Sequence, residues 1–285
     1  MNVLVIGLSL ASVLFLLSAG LTLIFGMLGV VNFAHGSFYM LGAYLGFQVV
    51  QFTGSFWLAL LVAPVLGGLV GAAMEYVALR PVYDREHHDQ MLLTFGFILI
   101  LDEAIRAVWG LNYKEVNAPE ILAVPTYILG AAVSTYRLFI VGFGAVAALL
   151  LFAALDKTRL GMMVRAASSD PEMVRGLGID VGKVRTGVFA FGTGLAALGG
   201  AVTAPLFPVE LGMGFAVIID CFAVIVIGGL GSIKGAVVAA LLVGLVRAAG
   251  YTAAPEWVDF ATYALLIAVL LGRPQGLFGR PQRLA

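Results

Sequence analysis

The sequence predicts an all-α, polytopic membrane helix bundle, and three observations predict it. No Asp, Glu, Lys or Arg precedes Glu75, and so long a charge-free stretch does not suit the surface of a water-soluble protein. Hydrophobic residues make up 61% of the 285 residues, and charged residues only 11%. The long apolar runs lack the alternation of a membrane β-barrel, so each span should be a helix whose backbone groups bond within the segment.

Nine apolar segments approach the ~20 residues that a spanning helix needs. Three of them are short, at 38–52, 215–229 and 260–272, and this predicts broken helices that end inside the membrane around a transport path. The expected number of spanning segments is therefore eight or nine. In chain order the segments are 3–28, 38–52, 56–79, 91–109, 138–155, 186–206, 215–229, 236–251 and 260–272.

Basic residues predict the orientation. Three segments, 80–90, 156–185 and 273–285, hold eleven of the sixteen Lys and Arg residues, so we expect them and the C-terminus to be cytoplasmic. The segments 110–136, 207–214 and 252–258 should face outward, while the side on which the N-terminus lies stays open. Polar stretches are too short to bury a core of their own. We therefore predict one transmembrane domain over 1–285, with a cytoplasmic coupling loop at 156–185.

Composition argues against several function classes. The net charge of zero gives no electrostatic reason to expect nucleic acid as a partner. Cys221 is the single cysteine, so the sequence offers neither an intrachain disulfide nor a Cys-rich metal site. His residues and paired carboxylates do not occur at catalytic or metal-binding spacing. We expect no catalytic residue, no metal site and no enzyme activity in this chain.

The segment 156–185 carries ten of the chain's 32 charged residues. Within it, Asp170 is a favourable N-cap, Pro171 suits the first helical position, and Glu172 complements the positive helix end. Gly176 or Gly178 should end this helix in a left-handed turn. The sequence thus predicts a helix of about two turns, too short to be stable alone.

The short helix therefore needs a surface to pack against, in its own bundle or on another protein. We expect Met173, Val174 and Leu177 to present apolar surface. A solvated loop between two spans is the simpler alternative, but the length of the segment, its two-part helical pattern and its methionines favour a docking site.

Four motifs together resemble the permeases of ABC importers for branched-chain amino acids, of the LivH type, over nearly the whole chain. They are GVVNFAHG at 29–36 with YMLG at 39–42; LGMMVRAA at 160–167 followed by Asp170-Pro and GLGID at 176–180; GGLGSIKGA at 228–236; and RPQGLFG at 273–279.

This resemblance implies a permease subunit in the bacterial inner membrane. The partners it implies are a second, related permease, two cytoplasmic ATPases and an extracytoplasmic solute-binding protein. The chain contains no phosphate-binding GxxxxGK[ST] motif, so ATP and Mg²⁺ should bind the partner subunits. The short helix would then be the coupling helix that seats on an ATPase. The residues expected to couple to the ATPase are Arg165, Asp170, Pro171, Glu172, Met173, Arg175, Leu177 and Gly178.

Several polar residues lie within or between apolar segments. Asn32 and His35 fit either a connecting turn at the membrane interface or the substrate path, where glycine-rich unwound backbone could receive a carboxylate. Asp220 could cap a broken helix or face the second permease. The residues expected along the substrate path are Asn32, His35, Gly36, Tyr39 and Asp220. Elsewhere, Glu75 should pair with Arg80, and Lys234 and Arg247 should extend to a membrane interface.

Asp102 and Arg106 are four residues apart in a predicted span, so we expect an intramembrane ion pair between them near its outer end. The related permeases often have Gln-Asn where this chain has Asp102-Glu103, which widens the expected substrates from leucine, isoleucine and valine to amides, urea and carboxylates. An alternative function is a stand-alone ion- or proton-coupled secondary transporter that uses Asp102, Glu103 and Asp220.

Overall fold

A computed structural model describes residues 1–128 and 130–279. Within these ranges the chain forms twelve α-helices and one two-stranded antiparallel hairpin, β1 (Thr126–Ile128) and β2 (Ala131–Val133). The predicted basic tail lies outside the described residues from position 280 onward. The helices are α1 Asn2–Leu28, α2 His35–Thr53, α3 Phe56–Met74, α4 His87–Trp109, α5 Glu120–Ala123, α6 Thr135–Lys157, α7 Arg159–Ser169, α8 Pro171–Gly176, α9 Val181–Thr203, α10 Met213–Gly228, α11 Ile233–Ala253 and α12 Val258–Gly272.

Nine helices of the described chain coincide with the nine predicted apolar segments, which confirms the all-α polytopic class. Six of them are long and apolar enough to cross a membrane by length and composition, where α12 is counted together with the 3₁₀ turn Pro255–Trp257 that precedes it. Of the other three, α10 is apolar but has only 16 residues. The third spanning segment continues past α3 through a π-helical turn, Glu75–Leu79, and a 3₁₀ turn, Arg80–Val82. The hairpin is an addition that the sequence did not predict.

Helix α1 lies at the centre of the bundle and packs on α11, α9 and α6. Small residues permit these contacts: a Cβ atom on Gly7 would lie 3.2 Å from the Cβ of Ala248, and one on Gly192 would lie 2.8 Å from the carbonyl oxygen of Gly20. Close backbone approach of this kind holds helices together in a bilayer. Lipid tails are as apolar as the side chains, so burying an apolar side chain between helices gives little free energy there. The glycine-rich composition therefore has a direct use in the packing.

The basic segments gather at one end of the bundle. At this end, Arg80 Nη2 after α3 donates to Thr186 Oγ1 in the second turn of α9, at 3.0 Å. The segment after α12 reaches the same end, because Leu277 N donates to Ile227 O near the end of α10 at 2.8 Å. Val174 of α8 and Leu277 also belong to one apolar cluster. We call this end the basic end.

The opposite end collects the segments that are poor in Lys and Arg. Lys114 and Val209 form an antiparallel bridge that joins the segment after α4 to the one after α9. Helix α1 begins at this end, since Arg137 Nη1 in the first turn of α6 donates to Ser9 Oγ at 3.1 Å. The structure thus places the start of α1 opposite the basic end, a point that the sequence left open.

Candidate functional site

Helix α8 is built at the basic end as the sequence predicts. Asp170 Oδ1 accepts a hydrogen bond from Met173 N at 2.9 Å, and Pro171 occupies the first helical position. Gly178 follows with φ +81°, a left-handed conformation that glycine adopts without strain. A cap at each end fixes this short helix between α7 and α9.

The side chains of α8 divide between the bundle and the outside. Met173 and Leu177 are 66% and 74% exposed, whereas Val174 is only 3% exposed. The prediction that Val174 presents apolar surface is wrong, because this side chain anchors α8 in a cluster with Ala167 and Val181. The exposed apolar pair, Met173 on α8 and Leu177 directly after it, therefore lies on a segment that is tied to the bundle.

The neighbouring helix α7 extends this surface. Leu160 and Met162 are 70% and 59% exposed. Arg165 donates to the carbonyl oxygen of Leu155 and lies 3.8 Å from Asp156 Oδ1, so it ties α7 to the end of α6. Of the remaining predicted coupling residues, Glu172, Arg175 and Gly178 are exposed and Pro171 is half-buried. We call Leu160, Met162, Met173 and Leu177 the exposed apolar set.

A buried carboxylate supports this end of the bundle. Glu75 is fully buried and lies 3.8 Å from Arg80 Nε, which confirms the predicted pair. Its oxygens also accept hydrogen bonds from Tyr83 Oη at 2.8 Å and Thr186 Oγ1 at 2.5 Å. Burial, and then the hydrogen bond to Glu75, raise the pKa of Tyr83. The sequence could not reveal the role of Thr186, which lies 111 residues from Glu75.

Helix α2 begins inside the bundle rather than at its edge. His35 Nε2 lies 3.0 Å from Leu17 O of α1, and a Cβ atom on Gly20 would lie 3.1 Å from His35 Cε1. Gly20 in turn contacts Gly192, the twelfth of the 23 residues of α9. The start of α2 is therefore near the middle of the bundle, as a broken helix requires.

Asn32 and His35 are fully buried there. This burial does not fit a connecting turn at the membrane interface. Both amide atoms of Asn32 and His35 Nδ1 lack a hydrogen-bond partner among the described residues. Tyr39, the next predicted path residue, is 3% exposed and packs against α9 at Gly199. Their role in the substrate path stays a prediction.

Helix α10 also begins inside the bundle, against the start of α2. The backbones of Gly36 and Gly214 touch, since a Cβ atom on Gly214 would lie 2.8 Å from the carbonyl carbon of Gly36. Gly212, with φ +88°, provides the turn before α10. The structure thus brings the N-terminal ends of two short helices together at membrane depth.

Asp220 does not cap a helix, because it lies in the interior of α10. It forms an ion pair with Arg247 of α11, and Arg247 Nη2 also donates to Asp259 Oδ1 of α12 at 3.0 Å. The side chain of Arg247 is only 14% exposed, and its second partner, Asp259, is 75% exposed in the first turn of α12. The expectation that Arg247 extends to a membrane interface stays a prediction. A buried guanidinium needs a carboxylate partner, and Asp220 supplies it.

The predicted pair of Asp102 and Arg106 is also corrected. Arg106 Nη1 instead lies 3.1 Å from Glu103 Oε1, three residues away, and both side chains are exposed. Asp102 is half-buried and faces Ser37 in the first turn of α2. At this position the Asp102 carboxylate complements the positive N-terminal end of the α2 dipole. This interaction accounts for the orientation of Asp102 toward α2 rather than toward Arg106.

These features define a class: a multi-pass helical membrane protein with short helices that start inside its bundle and a capped external helix at its basic end. Residues 3–270 match the family described as "Branched-chain amino acid transport system / permease component". The chain belongs to this family of transport permeases, whose members are transport subunits rather than enzymes.

Individual relatives agree. The chain is 31% identical to the high-affinity branched-chain amino acid transport system permease protein LivH of Escherichia coli (strain K12), over 97% of this chain and 94% of that protein. It is 30% identical to the corresponding protein BraD of Pseudomonas aeruginosa, over 98% and 95%. A probable branched-chain amino acid transport permease protein LivM of Methanocaldococcus jannaschii is 25% identical, over 77% and 67%. No solved structure matches the chain at a significant level.

Proposed function

We propose that this chain is a permease subunit of an ATP-driven importer in the bacterial inner membrane, and that α8 is the helix through which a cytoplasmic ATPase drives it. One observation carries this proposal: Met173 is exposed on α8 and Leu177 is exposed directly after it, on a short helix that is capped at both ends and anchored by Val174. An exposed apolar pair on a rigid helix suits an apolar groove on a partner. The basic end, with the C-terminus, is then cytoplasmic.

The proposed assembly contains four further components. A LivH-like chain and a LivM-like chain are both relatives of this sequence, which supports a second, different permease as its membrane partner. Two ATPase subunits would bind ATP and Mg²⁺ at the basic end. A solute-binding protein would deliver the substrate at the opposite end, where the segments after α4 and α9 meet at Lys114 and Val209.

The proposed substrate class is branched-chain amino acids, the substrates that the names of the relatives give. Because this chain has Asp102-Glu103 where related permeases often have Gln-Asn, the proposed substrates also include amides, urea and carboxylates. The start of α2, with Asn32 and His35, is the proposed polar part of the path. Movement of substrate there requires α2 and α10 to separate, because both side chains are enclosed in the protomer.

A stand-alone secondary transporter is the second candidate function. It would need carboxylates that are free to bind and release an ion. Asp220 is paired with Arg247, and Glu103 is paired with Arg106. These pairs weigh against the second candidate, because both carboxylates already have a guanidinium partner in the structure.

Transport by reconstituted vesicles separates the two functions. The chain, its permease partner and the ATPases are reconstituted together, and uptake of labelled leucine is measured with the binding protein present. Import that requires ATP and the binding protein supports the proposal. Uptake by this chain alone, driven by a proton gradient without ATP, would contradict it.

A further inference from the structure

A groove of roughly 250 Å³ opens at the basic end beside α8. It lies where the spanning segment that ends at Val82, helix α8 and the start of α9 meet. Its lining residues are Arg80, Tyr83, Asp84, Arg175, Gly182 and Arg185. Three guanidinium groups thus share one small groove, and their convergence is not explained by the predicted ATPase contact, which involves only Arg175 of the three.

The three arginines are not equivalent. Arg80 is engaged by Glu75 and Thr186, as described above. Arg185 stacks on the ring of Tyr83, with its guanidinium carbon 5.0 Å from the ring centre, and its Nε is buried without a hydrogen-bond partner in the described chain. Arg175 is exposed. Asp84 is the one acid among the lining residues, so the lining carries more positive than negative charge.

The depth of the groove matches a membrane surface. Arg80 is the third residue from the end of the spanning segment Phe56–Val82, and Arg185 is the fifth residue of α9. The guanidinium of Arg80 lies 4.9 Å from the ring centre of Tyr76. Tyr76 and Val77 are 62% and 72% exposed on a spanning segment, so they face lipid or another membrane subunit. The groove therefore opens at the level where lipid headgroups lie.

We propose that this groove binds the phosphate of an anionic phospholipid. Guanidinium groups bind phosphate through paired, charge-assisted hydrogen bonds, and Arg185 and Arg175 supply donors that the protein does not fully use. Basic pockets between membrane helices at a cytoplasmic surface suit such headgroups. The aromatic ring of Tyr76 is placed to lie along the lipid. A carboxylate of a docking protein is the competing ligand, but the position of the groove beside Tyr76 favours the lipid.

The test uses the full chain in phosphatidylcholine nanodiscs that contain a minor fraction of phosphatidylglycerol. Phosphatidylglycerol that stays bound is measured by native mass spectrometry for wild type, Arg175→Gln and the double variant Arg175→Gln/Arg185→Gln. We expect its affinity to fall about fivefold for the single variant, the equivalent of ~1 kcal/mol per basic residue. The double variant should lose about 25-fold on the same basis. Because Arg175 is exposed, the single variant keeps the test valid if the double variant unfolds.

Lys183→Gln is the matched control, since Lys183 is 85% exposed, pairs with Asp180 and does not line the groove. It should retain phosphatidylglycerol like wild type. Equal retention in all variants would overturn the proposal. A second pair of results would also overturn it. In mixed nanodiscs the arginine variants would retain phosphatidylglycerol like wild type, and in pure phosphatidylcholine they would lose the ATPase, because the groove would then bind a protein. Neither result depends on the transported substrate.

Discussion

Gly36 and Gly214 are in backbone contact where α2 and α10 begin, and neither position has room for a side chain. A Cβ atom on Gly36 would overlap the carbonyl oxygen of Gly214 and lie 2.9 Å from Ile218 Cβ. Two short helices thus meet end to end inside the bundle. The junction lies inside the bundle, beside the continuous central helix α1.

We predict that Gly36→Ala destabilises the chain by about 1–3 kcal/mol, the usual cost of forcing an extra methyl group into a packed core. Thermal unfolding in detergent measures the effect. Gly142→Ala is the matched control: Gly142 is also helical, but no atom lies within 4 Å of an added Cβ. Its unfolding temperature should stay the same or rise slightly. Equal unfolding temperatures for the two variants would contradict the observed junction.

The ion pair of Asp220 with Arg247 should matter more than that of Asp259 with the same arginine. Asp220→Asn leaves a buried guanidinium with only an exposed partner, so we predict a loss of about 3–5 kcal/mol. Asp259 is 75% exposed, and Asp259→Asn should cost less than about 1 kcal/mol. Thermal unfolding of both variants in the same detergent compares them. A larger effect of Asp259→Asn would show that Asp220 is not the main partner.

Thr186 holds the buried carboxylate of Glu75 and thereby links α9 to the segment after α3. Thr186→Val keeps the shape but removes the donor, so we predict a cost of about 1.5–3 kcal/mol, typical of a hydrogen bond to a charged group. Thr53→Val is the control, because Thr53 is exposed and its hydroxyl bonds only the nearby backbone atoms Val49 O and Ser55 N. Denaturant or thermal unfolding should separate the two. Similar stabilities would argue against a structural role for the Glu75 network.

Asp180 gives one pH-dependent contribution outside the membrane. The hydrogen bond from Lys183 N, together with the charge of Lys183, holds the pKa of this N-cap carboxyl below its usual value. A lowered pKa in the folded state stabilises the protein above the ordinary aspartate pKa of about 3.9, and the contribution disappears as the pH falls through the folded-state value. When the pH is lowered from 5 into the acidic range, the unfolding temperature of Asp180→Asn should therefore fall less than that of wild type. An unchanged acid slope would contradict this assignment.

Much of the fold follows from the sequence, because long apolar runs, caps and basic segments act locally. The nine apolar segments, the cap at Asp170 and the turn at Gly178 are all decided by neighbouring residues. The pair of Glu75 and Arg80 is also local. These features were predicted correctly.

Long-range pairing explains what the sequence did not reveal. The partner of Asp220 is Arg247 on another helix, and the buried side of α8 is set by where Val174 meets Ala167 and Val181. Local spacing gave Arg106 two candidate acids, three and four residues away. The position of Asp102 beside α2 decides between them. Such contacts depend on helix packing, which periodicity alone does not determine.

We propose that an ATPase binds through Met173 of α8 and through Leu177, which directly follows it. Co-purification of the ATPase with variants of these two residues tests the proposal. Met173→Asp and Leu177→Asp place a charge in the exposed apolar set without touching the buried anchor Val174. We predict that both variants stay in the membrane but lose the ATPase and ATP-dependent uptake, whereas Met173→Leu keeps both. Recovery of the ATPase at wild-type levels with the aspartate variants would contradict the claim.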